Sequence, residues 1–169
     1  MIYILGVEHF TVQLPHQSND LGKVAQFLEQ VKNICREKSI KLIAEESSED
    51  ALTYQNISST HVGGIVSELG IEYLLCDPGR DERNRIGVKQ RDVIAAELLI
   101  PFPPTTPGQE NKINKVAKES DRKREKYWLD QIKLRDGVNK EVLLICGFEH
   151  VDSFIELAKK ENCAIQKIS

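Results

Sequence analysis

The stretch MIYILGVEHF, residues 1–10, sets the reading of the whole chain. Residues 1–7 are almost continuously apolar and rich in β-branched and aromatic side chains, the pattern of a strand buried on both faces. The run then gives way at once to Glu8 and His9. The same order returns in LLICGFEHVDSF, residues 143–154, where an apolar run ends at Gly147 and Glu149 and His150 follow. The chain holds 4 histidines, and two of them stand in the same G-x-E-H frame just past a strand-like segment.

Between these two frames the sequence alternates strands and helices. After the loop PHQSND, where Ser18, Asn19 or Asp20 can cap a helix, Leu21, Val24, Ala25, Leu28, Val31, Ile34 and Cys35 recur at helical spacing. A second strand at 40–44 (IKLIA) ends in Glu45-Glu46, and a third at 71–75 (IEYLL) ends in Cys76-Asp77-Pro78. Val62, Ile65, Val66 and Leu69 form a helical stripe between them, stopped by Gly70, which tolerates the left-handed conformation of a helix end. A helix over about 88–99 leads into PFPPTTPG, whose prolines 101, 103, 104 and 107 read as a stiff loop. One long charged helix over about 109–135, ended by Gly137, follows. A strand at 141–146, a helix over about 150–160 with Val151, Phe154, Ile155 and Ala158 inward, and a strand at 164–168 complete the chain. This order predicts a single α/β domain over residues 1–169, a mostly parallel or mixed β-sheet covered by helices.

Composition narrows the function classes. At 169 residues one core is expected, and 40% hydrophobic with 29% charged residues is ordinary for a globular protein. No segment approaches the ~18 apolar residues that span a membrane. The N-terminus lacks the basic region and cleavage site of a signal peptide, which places the protein in the cytoplasm with no membrane partner. Cys35, Cys76, Cys146 and Cys163 lack framework spacing and suit reduced, mostly buried thiols. A net charge of −3 argues against nucleic acid as a partner. The lysines of the long helix are interleaved with acids, as on a solvated face.

In open parallel sheets, ligands bind beyond the carboxyl ends of the strands. Four strands bring Glu8 and His9, Glu45 and Glu46, Asp77, and Glu149 and His150 to that edge. Gly6 and Gly147 allow tight turns and close backbone approach there. The competing reading is that each glycine ends a strand and each histidine merely caps a helix; His16 and His61, which lack the frame, read as surface or cap residues. The position of His150 near a helix start favours its neutral imidazole. On the long helix Arg124 falls on the same line as Ile113, Ala117, Trp128 and Ile132, while Arg122 points away. A buried guanidinium needs a partner, and the acidic strand-end cluster is the natural one. GRDERNRIG (79–87), with Arg80, Arg83 and Arg85 interspersed with acids, follows the third strand as a mobile loop or a helix start; it reads either as the source of an arginine, Arg80 or Arg83, for an anionic group or as a solvated loop.

Taken in order, ILGVEH, LIAEE, LLCDPGRDERNR, DRKREKYW and LLICGFEHV resemble the TraB/PrgY/Tiki superfamily, which groups with erythromycin esterase and ChaN-like proteins. The resemblance implies that fold and a catalytic set of His9, Glu45, Arg124 and His150. It also implies a hydrolase of peptide, amide or ester bonds acting on a peptide or small molecule, with room for a homodimer. By the same resemblance His9, Glu45 and His150 would hold a divalent metal (Mn, Co or Zn) or its water, with Arg124 stabilising the oxyanion. Glu8, Glu46, Asp77, Arg80, Arg83 and Glu149 would support the site. The choice of Glu45 over Glu46 rests on its following the apolar run directly. A metal-free variant would use His9 as base oriented by Glu45. The alternative that the relatives suggest is a small-ligand or haem-iron binding module without turnover.

Overall fold

A computed structural model describes residues 1–8, 20–135 and 139–168. The strands are β1 (Ile2–Val7), β2 (Leu42–Glu45), β3 (Glu72–Leu75), β4 (Val142–Gly147) and β5 (Ile165–Lys167). The helices are α1 (Leu21–Glu37), α2 (Glu49–Tyr54), α3 (His61–Leu69), α4 (Arg80–Ile86), α5 (Arg91–Glu97), α6 (Pro107–Leu134) and α7 (Phe148–Lys160). The strands form one sheet in the order β3-β2-β4-β1-β5, and every pairing is parallel. β4 lies at the centre with all six of its residues buried, which is why its sequence is apolar on both faces. Its register sets Gly6 of β1 opposite Cys146 and Val7 opposite Gly147.

Alternate strand residues feed two cores. On one face Ile4, Leu42, Ala44, Leu144 and Cys146 pack against α6 and α7 through Trp128, Ile132, Val151 and Phe154. On the other, Leu5, Ile43, Leu143 and Ile145 pack against α1 and α3 through Phe27, Val31, Val62 and Ile65. A side chain such as Phe154, with no exposed surface, contributes about 1.5–3 kcal/mol by leaving water. Asp20 caps α1, its Oδ1 accepting from the backbone of Gly22 and Lys23. Gly70 ends α3 at φ 63°.

Three elements differ from the sequence expectation. The helix expected over 88–99 is split. Gly87 ends α4 at φ 69°, the Lys89 amide is drawn to Ser120 Oγ at 3.1 Å, and α5 runs only seven residues. α2 was not anticipated because it buries only Leu52; Ser48, whose side chain accepts from the Ala51 amide, starts it. The long helix begins at Pro107, inside the expected loop, because a first-turn proline has no amide to satisfy and Thr106 caps the turn. His9, His16 and Gly137 lie outside the described residues. Among the described residues no helix is long and apolar enough to cross a membrane. All four cysteines are free thiols, three buried and Cys163 half-buried.

Gly6 lies within β1 rather than in a turn, and its role is steric. A Cβ there would stand 2.7 Å from both Phe148 Cδ1 and Val151 Cγ2. The exposed Phe148 ring can yield; Val151, 1% exposed, cannot. Gly6→Ala is therefore expected to lower stability by about 1–3 kcal/mol, the cost of overpacking. Urea unfolding measures it, and a variant as stable as wild type would show that α7 gives way freely.

Candidate functional site

β1 and β2, which flank β4, send their connections to α1 and α3, whereas the chain leaving β4 enters α7 on the opposite face. The carboxyl end of β4 therefore lies between strands whose following helices pack on the opposite face from its own, the arrangement that opens a crevice in a parallel sheet. Glu46 lies just past β2 at this point. Its amide donates to the Ile145 carbonyl at 2.9 Å, and its Oε2 accepts from the Gly147 amide at 2.9 Å. Backbone pairing thus fixes the carboxylate against the end of β4.

Arg124, on the inward line of α6, joins two strand ends. Its Nη2 donates to Glu46 Oε1 at 2.6 Å and its Nε to Asp77 Oδ1 at 2.9 Å. Asp77 Oδ1 also accepts from Trp128 Nε1 at 2.8 Å, and its Oδ2 from Arg83 Nη2. Arg83 Nε is spent on the Pro78 carbonyl. The guanidinium of Arg124 lies 5.3 Å from the centre of the Trp128 ring, a cation–π contact. Burial opposes its charge, but Asp77 and Glu46 outweigh that and drive its pKa above the ordinary arginine value. Its Nη1 meets Asp121 at 3.6 Å on the more exposed side.

His150 lies in the first turn of α7, 3% exposed, edge-on to Trp128 with ring centres 5.0 Å apart. Nδ1 is 3.0 Å from Glu125 Oε1, which also accepts from Ser153 Oγ, and Nε2 is 3.5 Å from Glu46 Oε1. Burial works against the imidazolium, but the Glu125 hydrogen bond and the Glu46 charge outweigh it, so the pKa rises above 6.5. This reverses the expectation of a neutral ring: two buried carboxylates exceed the helix-end effect. Glu46, Asp77, Asp121 and Glu125 thus surround Arg124 and His150, with Arg83 on Asp77. Burial also raises the Asp121 carboxyl above its ordinary range.

Glu45 is elsewhere. It points to the other face of the sheet, where its Oε2 accepts from Thr60 Oγ1 at 2.7 Å and from the Tyr73 hydroxyl. Burial, and then the charge of Glu45, hold the Tyr73 hydroxyl above its ordinary pKa. Thr60 in turn caps α3 through the Gly63 amide. The structure therefore does not bring Glu45 to Arg124 and His150, because successive strand residues face opposite ways; Glu46 takes the place expected for it. His9 is outside the described residues, Glu45 and His150 are on opposite faces, and among the described residues no group of three His, Cys, Asp or Glu is arranged to hold an ion. Glu8 is exposed beyond β1. Arg80 is exposed and borders a separate depression beside α2. His61 opens α3, away from this cluster, and burial lowers its pKa.

The cluster opens into a cleft of about 1020 Å³ between α6, α7 and the α4–α5 segment. Arg83, Asp121, Arg124, Glu149 and His150 border it. Sequence reasoning missed Asp121, Glu125 and Ser153. Asp121, Arg124, Glu125 and Trp128 stand at i, i+3, i+4 and i+7, one helical face, and Ser153 follows His150 by three; that spacing was the available signal. No protein-family model, no curated protein and no solved structure matches the chain.

Replacing Arg124 with Met leaves Glu46 and Asp77 buried without their shared cation. The expected loss is about 3–5 kcal/mol, the range for breaking a buried pair, read as a fall in the urea midpoint; a loss under about 1 kcal/mol would show the carboxylates protonated or hydrated instead. His150 gives a pH signature. Its folded pKa exceeds the unfolded one, so its stabilisation is complete below pH 6.5 and lost as pH rises through the folded value. The stability gap between wild type and His150→Asn should narrow over that window, and a gap independent of pH would refute the charged ring.

Proposed function

We propose that the chain is a hydrolase of ester or amide bonds, peptide bonds included, working in the cleft at the carboxyl end of β4. The observation that carries this reading is His150, a buried imidazole held through Nδ1 by Glu125 at the cleft wall. A histidine oriented by a carboxylate and biased towards its protonated form suits a general acid. In this reading a water attacks the carbonyl carbon while Asp121 takes the water's proton, and His150 protonates the leaving oxygen or nitrogen. Arg124 Nη1, which faces Asp121 at 3.6 Å on the more exposed side of the cluster, stabilises the developing oxyanion. Glu125 and Ser153 position the ring rather than touching substrate. The reading keeps the class of activity that the resemblance to the TraB/PrgY/Tiki superfamily implies, and assigns its proton transfers to side chains of this one face.

The test is a panel of nitrophenyl esters and fluorogenic peptides. His150→Asn should lower kcat about 100- to 10,000-fold with an unchanged circular dichroism spectrum. Glu125→Gln should lower kcat less and shift the alkaline limb of its pH profile downward, since the Glu125 hydrogen bond is the largest of the influences that raise the His150 pKa. Wild-type kcat should fall as pH rises through that pKa. Turnover that survives His150→Asn would overturn the proposal.

A further inference from the structure

The cleft beyond His150 carries a charge that hydrolysis of a neutral bond does not require. Six basic side chains border it against three acidic ones, in a chain whose net charge is −3. Three of the six are engaged: Arg83 and Arg124 with the buried carboxylates, and Lys89 with Glu97 at 2.6 Å. Arg91, Lys115 and Lys118 enter no ion pair among the described residues; Arg91 is held only to Asn114 Oδ1. Lys115 and Lys118 are a turn apart on α6, and Asp121 and Arg124 follow at the same three-residue spacing along the border of the cleft. Along the axis Lys115 and Arg124 are separated by about 13 Å. Phe102, an exposed aromatic ring, also borders the cleft.

We infer that the cleft binds a phosphate-bearing small molecule, its charged end against Arg91, Lys115 and Lys118 and its scissile bond at His150. The inference rests on the hydrolase reading for the position of that bond. Three cations with adjoining asparagine amides outnumber what one carboxylate can occupy, whereas a phosphate offers up to two charges and three acceptor oxygens. The cleft volume suits a compact ligand.

Calorimetry on the full chain tests this with pyrophosphate, ADP, adenosine, citrate and a single-stranded oligonucleotide. Pyrophosphate and ADP should bind and adenosine should not. The double variant Lys115→Ala/Lys118→Ala should weaken both about 10-fold or more, with an unchanged thermal melt. Lys159→Ala/Lys160→Ala, the same charge change on α7 outside the cleft, should leave binding as in wild type. Absence of pyrophosphate binding at millimolar concentration, indifference to the Lys115/Lys118 change, or equal affinity for citrate would overturn the inference. An oligonucleotide bound far more tightly than ADP, with steep salt dependence, would make the cleft a nucleic-acid surface instead. The two readings fail separately. Phosphate binding without turnover of any ester or amide sinks the hydrolase, while hydrolysis of neutral esters by a protein that binds no phosphate sinks only this inference.

Discussion

Arg124 is the side chain on which the carboxyl edge of the sheet depends. β2 and β3 are neighbours, and each ends in a buried carboxylate, Glu46 and Asp77. Two such anions in a poorly solvated site repel each other and lose their hydration. One guanidinium, planar and forked, satisfies both with different nitrogens and stacks on Trp128 from the same helix. A lysine presents one compact charge and cannot reproduce that fork. The position of His150 follows: its ring is held between Glu46 on the strand side and Glu125 on the helix side.

Glu45 and Glu46 show how much rests on one residue of register. Both are buried carboxylates at the end of the same strand, and the strand's alternation sends them to different halves of the molecule. Glu45 ties β2 to the capped start of α3 through Thr60 and to β3 through Tyr73. Glu46 ties it to β4, α6 and α7. The sheet edge is thus clamped on both faces by adjacent residues, only one of which borders the chemistry proposed.

The fold was legible because burial on both faces leaves a plain mark: apolar runs ending abruptly in charge, separated by helical stripes, as in MIYILGV and EVLLIC. The inward place of Arg124 was legible for the same reason, since it falls in line with Trp128 and Ile132. What escaped reading depends on contacts between distant segments. α2 buries only Leu52 and so carries no stripe, and the break between α4 and α5 depends on Ser120, far along the chain. The choice between Glu45 and Glu46 could not be made from an apolar run, because the run ends before the alternation distinguishes them. Glu125 was hidden among the charges of α6; only its packing against His150 separates it from solvated neighbours such as Lys123.

The strand order has a consequence for how the chain reaches this state. β4 inserts between β1 and β2, so the first two strands of the sequence never touch each other and neither gains its central neighbour until residue 142 and beyond has been made. During synthesis the amino-terminal segments must wait with apolar edges uncovered, and their pairing closes loops of very long range. Such high contact order slows folding and lengthens the interval in which exposed strands can aggregate. The segment carrying the second G-x-E-H frame is thus also the piece that joins the two sides of the sheet.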